Sequence, residues 1–148
     1  MPNLNENKGR SANKRKNTEL KTNPLGSTKS SVGADLSSTI LALKSFIDAN
    51  LQKDLAVSRL CLRFGASESK LKQAFIKSEE ISITEYIQQQ RMALASELLK
   101  DSQMSILDIC QNTGYFSPTS FSKLFSRNFG MSPNEYRKKN TQVKRVNA

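Results

Sequence analysis

The sequence predicts an all-α fold in which seven helices form two helix-turn-helix subdomains joined by a long linker helix. Three observations predict this fold. Through residues 35–136, apolar residues recur three and four positions apart, which is the period of an amphipathic helix, and no useful stretch has the period of a strand. Capping signals mark several helix starts. The segment also repeats itself with a period near 50 residues.

The apolar stripes predict where the helices lie. The first helix is expected to start near Asp35 or Ser37, glycines are expected to end three of the others, and a short seventh helix is expected to start at Pro133. The stripes of the first six helices are Ile40-Leu43-Ile47-Leu51, Val57-Leu60-Cys61-Phe64, Leu71-Ala74-Phe75, Ile83-Tyr86-Ile87-Leu94-Leu98-Leu99, Ile106-Ile109-Cys110 and Phe121-Leu124-Phe125-Phe129.

Four helix starts carry local signals. Three serines are each followed three residues later by an acid, which is the capping-box pattern, and a fourth serine precedes a proline. An apolar residue before each cap is predicted to pack on one five positions later, as a hydrophobic staple. The caps are Ser82, Ser105, Ser132 and Ser117, and the staples are Ile81/Tyr86, Met104/Ile109, Met131/Tyr136 and Phe116/Phe121.

The internal repeat has two offsets. At 49 residues it pairs Val57/Ile106, Leu60/Ile109, Cys61/Cys110 and Gly65/Gly114; at 50 it pairs Ser67/Ser117, Leu71/Phe121, Ala74/Leu124, Phe75/Phe125, Ile81/Met131, Ser82/Ser132, Glu85/Glu135 and Tyr86/Tyr136. Each copy reads as a short helix, a glycine-containing turn and a capped second helix, which is the helix-turn-helix plan. A helical repeat array normally needs at least three copies, so a protein-binding solenoid is disfavoured.

The repeat divides the chain into a first copy at 35–80, a linker helix at 82–100 and a second copy at 102–139. Residues 1–34 are predicted to be a disordered basic arm, because they contain few large apolar residues, and residues 140–148 a flexible basic tail.

Charge and cysteine content exclude several classes of function. The 148 residues carry 23 Lys and Arg against 13 Asp and Glu, but the excess lies in segments 1–34 and 137–148, and 35–136 is neutral. The chain has no histidine, which excludes Cys/His zinc fingers and catalytic triads. The two cysteines are expected to be buried. Without an apolar run long enough for a membrane span or a signal peptide, a cytoplasmic protein is expected.

In a helix-turn-helix the second helix, the reading helix, enters the major groove of DNA. The outward face of that helix carries Ser69, Lys72 and Gln73 in the first copy, and Thr119, Ser122 and Lys123 in the second. These side chains can bond base edges, although a solvated helix face would look the same. The linker helix spans about 26 Å and successive grooves lie about 34 Å apart, so one monomer could read two half-sites.

Residues from about Leu36 to Lys139 resemble the DNA-binding domain of the AraC/XylS family of transcriptional regulators. The resemblance is carried by "LCLRFGASESKLKQAF", "ITEYIQQQRMALASELL" and "SILDICQNTGYFSPTSFSKLFSRNFGMSPNEYR". It implies a DNA-binding activator that is not an enzyme. It also implies base contacts from Ser69, Lys72 and Gln73 in the first copy and from Pro118, Thr119, Ser122 and Lys123 in the second.

The resemblance implies double-stranded DNA as the partner, with RNA polymerase as a further one, and neither a cofactor nor a metal. We expect no effector domain in 148 residues. Arg91 occupies a basic position of the linker helix, where packing, ion pairing and phosphate contact all stay open. Glu80 replaces the glycine usual after the first reading helix, which predicts a different or less stable turn. The alternatives are a helical protein-binding adaptor and a non-specific nucleic-acid-binding protein.

Overall fold

The fold is taken from a computed structural model that describes residues 32–147. The predicted basic arm therefore lies, up to residue 31, outside the described residues. The chain divides into two compact units, Met1–Ser38 and Thr39–Ala148. Of the first unit only Val32–Ser38 is described, and it is helical. All packing reported below lies within the second unit.

The described residues form seven helices, and no strand occurs within 32–147, which confirms the predicted all-α fold. The helices are α1 Val32–Ala49, α2 Val57–Phe64, α3 Glu68–Glu79, α4 Ile83–Asp101, α5 Ile106–Asn112, α6 Pro118–Phe129 and α7 Pro133–Asn147.

The predicted helix starts are confirmed by their hydrogen bonds. At α4 the Glu85 N–H donates to Ser82 Oγ at 3.1 Å and the Ser82 N–H donates to the Glu85 carboxylate at 2.9 Å, a complete capping box. Ser132 and Glu135 repeat it at α7. At α5 the Asp108 N–H also donates to Ser105 Oγ. The Asp108 carboxylate, however, accepts a hydrogen bond from the Ser105 hydroxyl and not from the Ser105 backbone N–H. The cap satisfies amide groups that would otherwise lack a partner.

Helix α4 contributes to two separate hydrophobic cores. Its first half buries Ile83, Tyr86 and Ile87 among side chains of α1, α2 and α3. Its second half buries Met92, Ala95 and Leu99 among side chains of α5 and α6. The linker helix therefore packs against both copies, and the hydrophobic core of each copy is completed by one half of α4.

The two cores repeat the same aromatic contact. The rings of Phe75 and Tyr86 meet edge to face with centroids 5.5 Å apart, and those of Phe125 and Tyr136 meet edge to face at 5.3 Å. These two pairs are related by the 50-residue offset seen in the sequence. The repeat thus extends from the sequence pattern to the packing of the core.

Both terminal helices are longer than predicted. Helix α1 begins at Val32, and α7 continues to Asn147, where a flexible tail from residue 140 was predicted. The extension of α7 is held by Lys144, which donates to the Lys100 carbonyl at 2.7 Å and to the Asp101 carboxylate at 2.6 Å. A cation at the last carbonyls of α4 also complements the negative end of that helix dipole.

The predicted staple between Phe116 and Phe121 is wrong. Phe121 is fully buried, but Phe116 is 93% exposed. Tyr115 takes the expected place, with its ring centroid 5.8 Å from that of Phe121. Tyr115, two positions before the cap Ser117, therefore packs on this core in place of Phe116.

The turn after α3 has the same shape as its counterpart after α6. Glu80 adopts φ 64° and ψ 7°, and Gly130 adopts φ 75° and ψ 6°. The prediction of a different turn is wrong, while that of a less stable one stays a prediction. A left-handed conformation costs a residue with a Cβ about 1–2 kcal/mol.

We predict that Glu80→Gly raises the free energy of unfolding by about 1 kcal/mol, because glycine adopts this conformation without strain. Urea denaturation of the two proteins measures the difference. Gly130→Ala is the matched control and should lower stability by a similar amount, since a Cβ there meets no atom within 4 Å. A loss of stability in Glu80→Gly would contradict the assignment of strain.

Candidate nucleic-acid interface

The first reading helix, α3, presents one polar face. Ser67 caps it by accepting the Lys70 N–H at 3.3 Å. Leu71 and Phe75 are fully buried and Ala74 packs partly buried against the same core, so Lys72 and Gln73 lie on the outward face. The predicted contact residues Ser69, Lys72 and Gln73 are all exposed, as their assigned role requires.

The contact residues of α3 are engaged with one another and with a neighbouring acid. Lys72 Nζ lies 2.7 Å from the carboxylate of Glu68, one helical turn earlier. This hydrogen bond and charge raise the pKa of Lys72, so the ammonium form is retained. Gln73 Nε2 donates to Ser69 Oγ at 3.5 Å. A ligand that takes these donors must therefore compete with contacts already made along the helix.

The second reading helix, α6, is built in the same way. Ser117 accepts the Ser120 N–H at 3.2 Å, and Pro118 occupies the first turn. Pro118, Thr119 and Lys123 are exposed, and Ser122 is half-buried. Within the described residues Lys123 makes no salt bridge, in contrast to Lys72 in the first copy.

The turn before each reading helix closes on a buried cysteine. The Ala66 N–H donates to the Cys61 carbonyl at 3.1 Å, and the Tyr115 N–H donates to the Cys110 carbonyl at 2.9 Å. Burial raises the pKa of both thiols, which disfavours the reactive thiolate. Both cysteines therefore act as small core residues, as predicted.

These bonds align the two turns residue by residue. One residue, Ala66, separates Gly65 from the first cap, whereas Tyr115 and Phe116 together separate Gly114 from the second. Since Tyr115 is the counterpart of Ala66, Phe116 has no counterpart in the first copy. Sequence reasoning missed Phe116 as a surface residue, although the change of offset from 49 to 50 marks the insertion.

Arg91 joins the two copies through the middle of α4. Its Nε donates to the Leu51 carbonyl at 3.0 Å and its NH2 group donates to the Lys53 carbonyl at 2.8 Å, both before α2. Its guanidinium carbon also lies 5.5 Å from the ring centroid of Tyr115 in the second copy. Burial lowers the pKa of Arg91, and the neighbouring Tyr115 and Asp54 oppose that shift. Of the three roles left open, the structure supports packing.

A cleft of about 470 Å³ lies between the copies, on the side of α4 that carries Arg91. Its wall is mostly apolar and includes the charged residues Lys53, Asp54 and Arg91. The lining residues are Lys53, Asp54, Leu55, Ala56, Val57, Thr84, Ile87, Gln88, Arg91, Gly114, Tyr115, Phe116 and Leu124.

Two structural features are absent from residues 32–147. No cluster of three or more histidine, cysteine or acidic side chains there could hold a metal ion. Likewise, none of the helices in that range has the length and apolar character needed to cross a membrane.

Comparison with known proteins places this architecture among tandem helix-turn-helix proteins. The family described as "Helix-turn-helix domain" matches residues 60–139. The "HTH-type transcriptional activator RhaR" of Escherichia coli K12 is 32% identical over 116 residues, which are 78% of this chain and 41% of that protein. The chain spans only 34% to 41% of the curated relatives it matches first.

Solved structures share the fold. The C-terminal domain of AraT, a response regulator from Geobacillus stearothermophilus, superposes with a TM-score of 0.68 at 27% identity, covering 70% of this chain and 87% of that one. The DNA-binding domain of AdpA, solved with a target DNA, gives 0.68 at 22% identity, covering 74% and 97%. The chain belongs to the AraC/XylS family of transcriptional regulators.

We predict that Gly114→Ala destabilises the protein strongly, by more than the roughly 1 kcal/mol of a left-handed alanine alone. A Cβ there would lie 2.3 Å from the Leu51 carbonyl oxygen and 2.7 Å from the Arg91 guanidinium carbon. Gly65→Ala is the matched control, since its φ is also positive and its surroundings are open. Equal losses in urea denaturation would show that the contact between the copies is loose.

Proposed function

We propose that this protein is a sequence-specific DNA-binding transcriptional regulator that reads two adjacent major-groove half-sites with one monomer. The observation that carries the proposal is the construction of the two copies. Each presents a capped reading helix with an exposed polar face, and both are packed on the same linker helix. Family membership and a structural neighbour solved with DNA support the same conclusion.

The length of α4 suits this arrangement. Its 19 residues extend about 28 Å, close to the roughly 34 Å between successive major grooves on one face of DNA. The cores at its two ends hold α3 and α6 apart without a second chain. We therefore propose that a monomer occupies the whole site.

The relatives suggest the wider role. Because RhaR carries the name of a transcriptional activator, we propose activation, with RNA polymerase as the protein partner contacted on DNA. The proposal places the protein in the bacterial cytoplasm and gives it no enzymatic activity.

The proposal is tested by selecting bound fragments from a genomic DNA library at physiological salt and sequencing them. We expect a motif of two conserved blocks about one helical turn apart. Recovery of bound DNA without a motif would favour the non-specific alternative. Absence of binding, with a folded protein, would favour a protein-binding adaptor.

Lys123 provides a test of base reading in the second copy. We predict that Lys123→Ala relaxes the base preference at one position of one half-site and costs about 1–3 kcal/mol on the preferred sequence, because its ammonium would lose a base acceptor. Titration of duplexes varied at each position measures this. Lys77→Ala, in the last turn of α3, is the control and should leave base preferences unchanged. A uniform loss for Lys123→Ala would identify a phosphate contact instead.

Arg91 is predicted to set the spacing between the half-sites. Arg91→Met should keep the packed stem of the side chain but lose the bonds to the Leu51 and Lys53 carbonyls. We expect the wild type to bind one spacing best and the variant to discriminate less against sites one base pair longer or shorter. Lys100→Met, near the end of the same helix, is the control. Unchanged spacing preference in a folded Arg91→Met protein would contradict this role.

A further inference from the structure

We propose that Phe116, together with Pro118 and Thr119, forms an apolar edge that selects thymine by contact with its 5-methyl group. This inference rests on the proposed function and names a residue outside the contact positions assigned above. The edge belongs to the second copy alone and lies at the start of its reading helix.

Phe116 is an insertion relative to the first copy. The hydrogen bonds to the two cysteine carbonyls make Tyr115 the counterpart of Ala66, and Ser117 the counterpart of Ser67. Phe116 is therefore extra, and it stands directly before the cap of α6. An insertion at this point changes what the leading end of the reading helix presents, while the core contact of Tyr115 with Phe121 is kept.

Phe116 is 93% exposed, the highest fraction among the exposed large apolar residues in the described part of the chain. Pro118 and Thr119 beside it are exposed as well. Folding alone does not account for this surface, because burying such a ring against the core would be favourable. Phe116 also lines the cleft between the copies, and only the cap Ser117 separates it along the chain from the proposed contact residue Pro118.

The two copies differ at the start of their reading helices. The first turn of α3 carries Glu68 and Ser69, and its next turn adds Lys72 and Gln73, all of them polar. The start of α6 instead carries the Phe116 ring, a proline ring without an N–H group, and a threonine with one methyl. The leading end of the second reading helix is thus suited to van der Waals contact more than to hydrogen bonding.

The chemistry of this edge suits the methyl group of thymine. Among the groups that base pairs present in the major groove, the 5-methyl of thymine is the apolar one, and phenylalanine is among the side chains that contact it. Since residues at the start of a reading helix lie nearest the base edges, the Phe116 ring is well placed for such a contact. Uracil, which lacks the methyl but pairs identically, would lose it.

The experiment uses the full chain and the motif recovered by fragment selection. Each thymine of the half-site read by the second copy is replaced in turn by deoxyuridine, and binding is titrated with wild type, Phe116→Ala and Phe116→Leu. We expect one replacement to weaken wild-type binding about three- to fivefold, the size of one buried methyl group. Phe116→Ala should bind thymine and uracil equally at that position, and Phe116→Leu should keep part of the preference.

Leu62→Ala is the control, because Leu62 is 83% exposed on α2 and does not adjoin a reading helix start. It should retain the wild-type response to uracil. The inference is overturned if wild type binds its motif but no uracil replacement matters, or if Phe116→Ala keeps the full preference. A change in oligomeric state with unaltered base preference would also overturn it, by assigning Phe116 to a protein contact. Failure to recover any motif would instead refute the proposed function.

Discussion

Burial of helix α4 on both of its halves is the constraint on which the structure depends. Ile83, Tyr86 and Ile87 close one core and Met92, Ala95 and Leu99 close the other, so neither copy has a complete interior without this helix. Arg91 lies between these two sets and bonds carbonyls of the first copy while facing Tyr115 of the second. Both reading helices are consequently positioned by helix α4, and any partner that binds both must match the separation that α4 imposes.

The two copies keep the same interior and differ at the surface. The edge-to-face pairs Phe75/Tyr86 and Phe125/Tyr136, the cysteine-closed turns and the left-handed residues after the reading helices all repeat. The outward faces do not repeat: one is polar and internally bonded, and the other begins with apolar groups. The fold therefore requires the repeated interior contacts, whereas the outward faces of the reading helices can vary. Surface side chains on a fixed backbone change the chemistry of the surface without changing the packing of the core.

The sequence was sufficient for the parts of the fold that local rules decide. Helical period, serine caps and the two-offset repeat located the elements, and the reading faces followed from placing Leu71 and Phe121 inward. It was insufficient where a contact with a residue far away in the chain decides the structure. The length of α7 depends on Lys144 reaching the end of α4, and the exposure of Phe116 depends on Tyr115 occupying the core instead. The position of Arg91 between the copies likewise depends on three chain segments meeting, which spacing along one helix cannot reveal.

The ion pair between Lys72 and Glu68 and the bond between Gln73 and Ser69 have a consequence for selectivity. Before any DNA arrives, the donors of the first reading helix already have acceptors within their own helix. A base edge gains only the difference between its own bonds and the ones it displaces. A poorly matched sequence therefore leaves Lys72 paired with Glu68 and Gln73 bonded to Ser69. On the proposed function, a DNA contact of Lys72 or Gln73 gains only what exceeds these bonds within the helix, whereas Lys123 makes no salt bridge in the described residues and has none to give up.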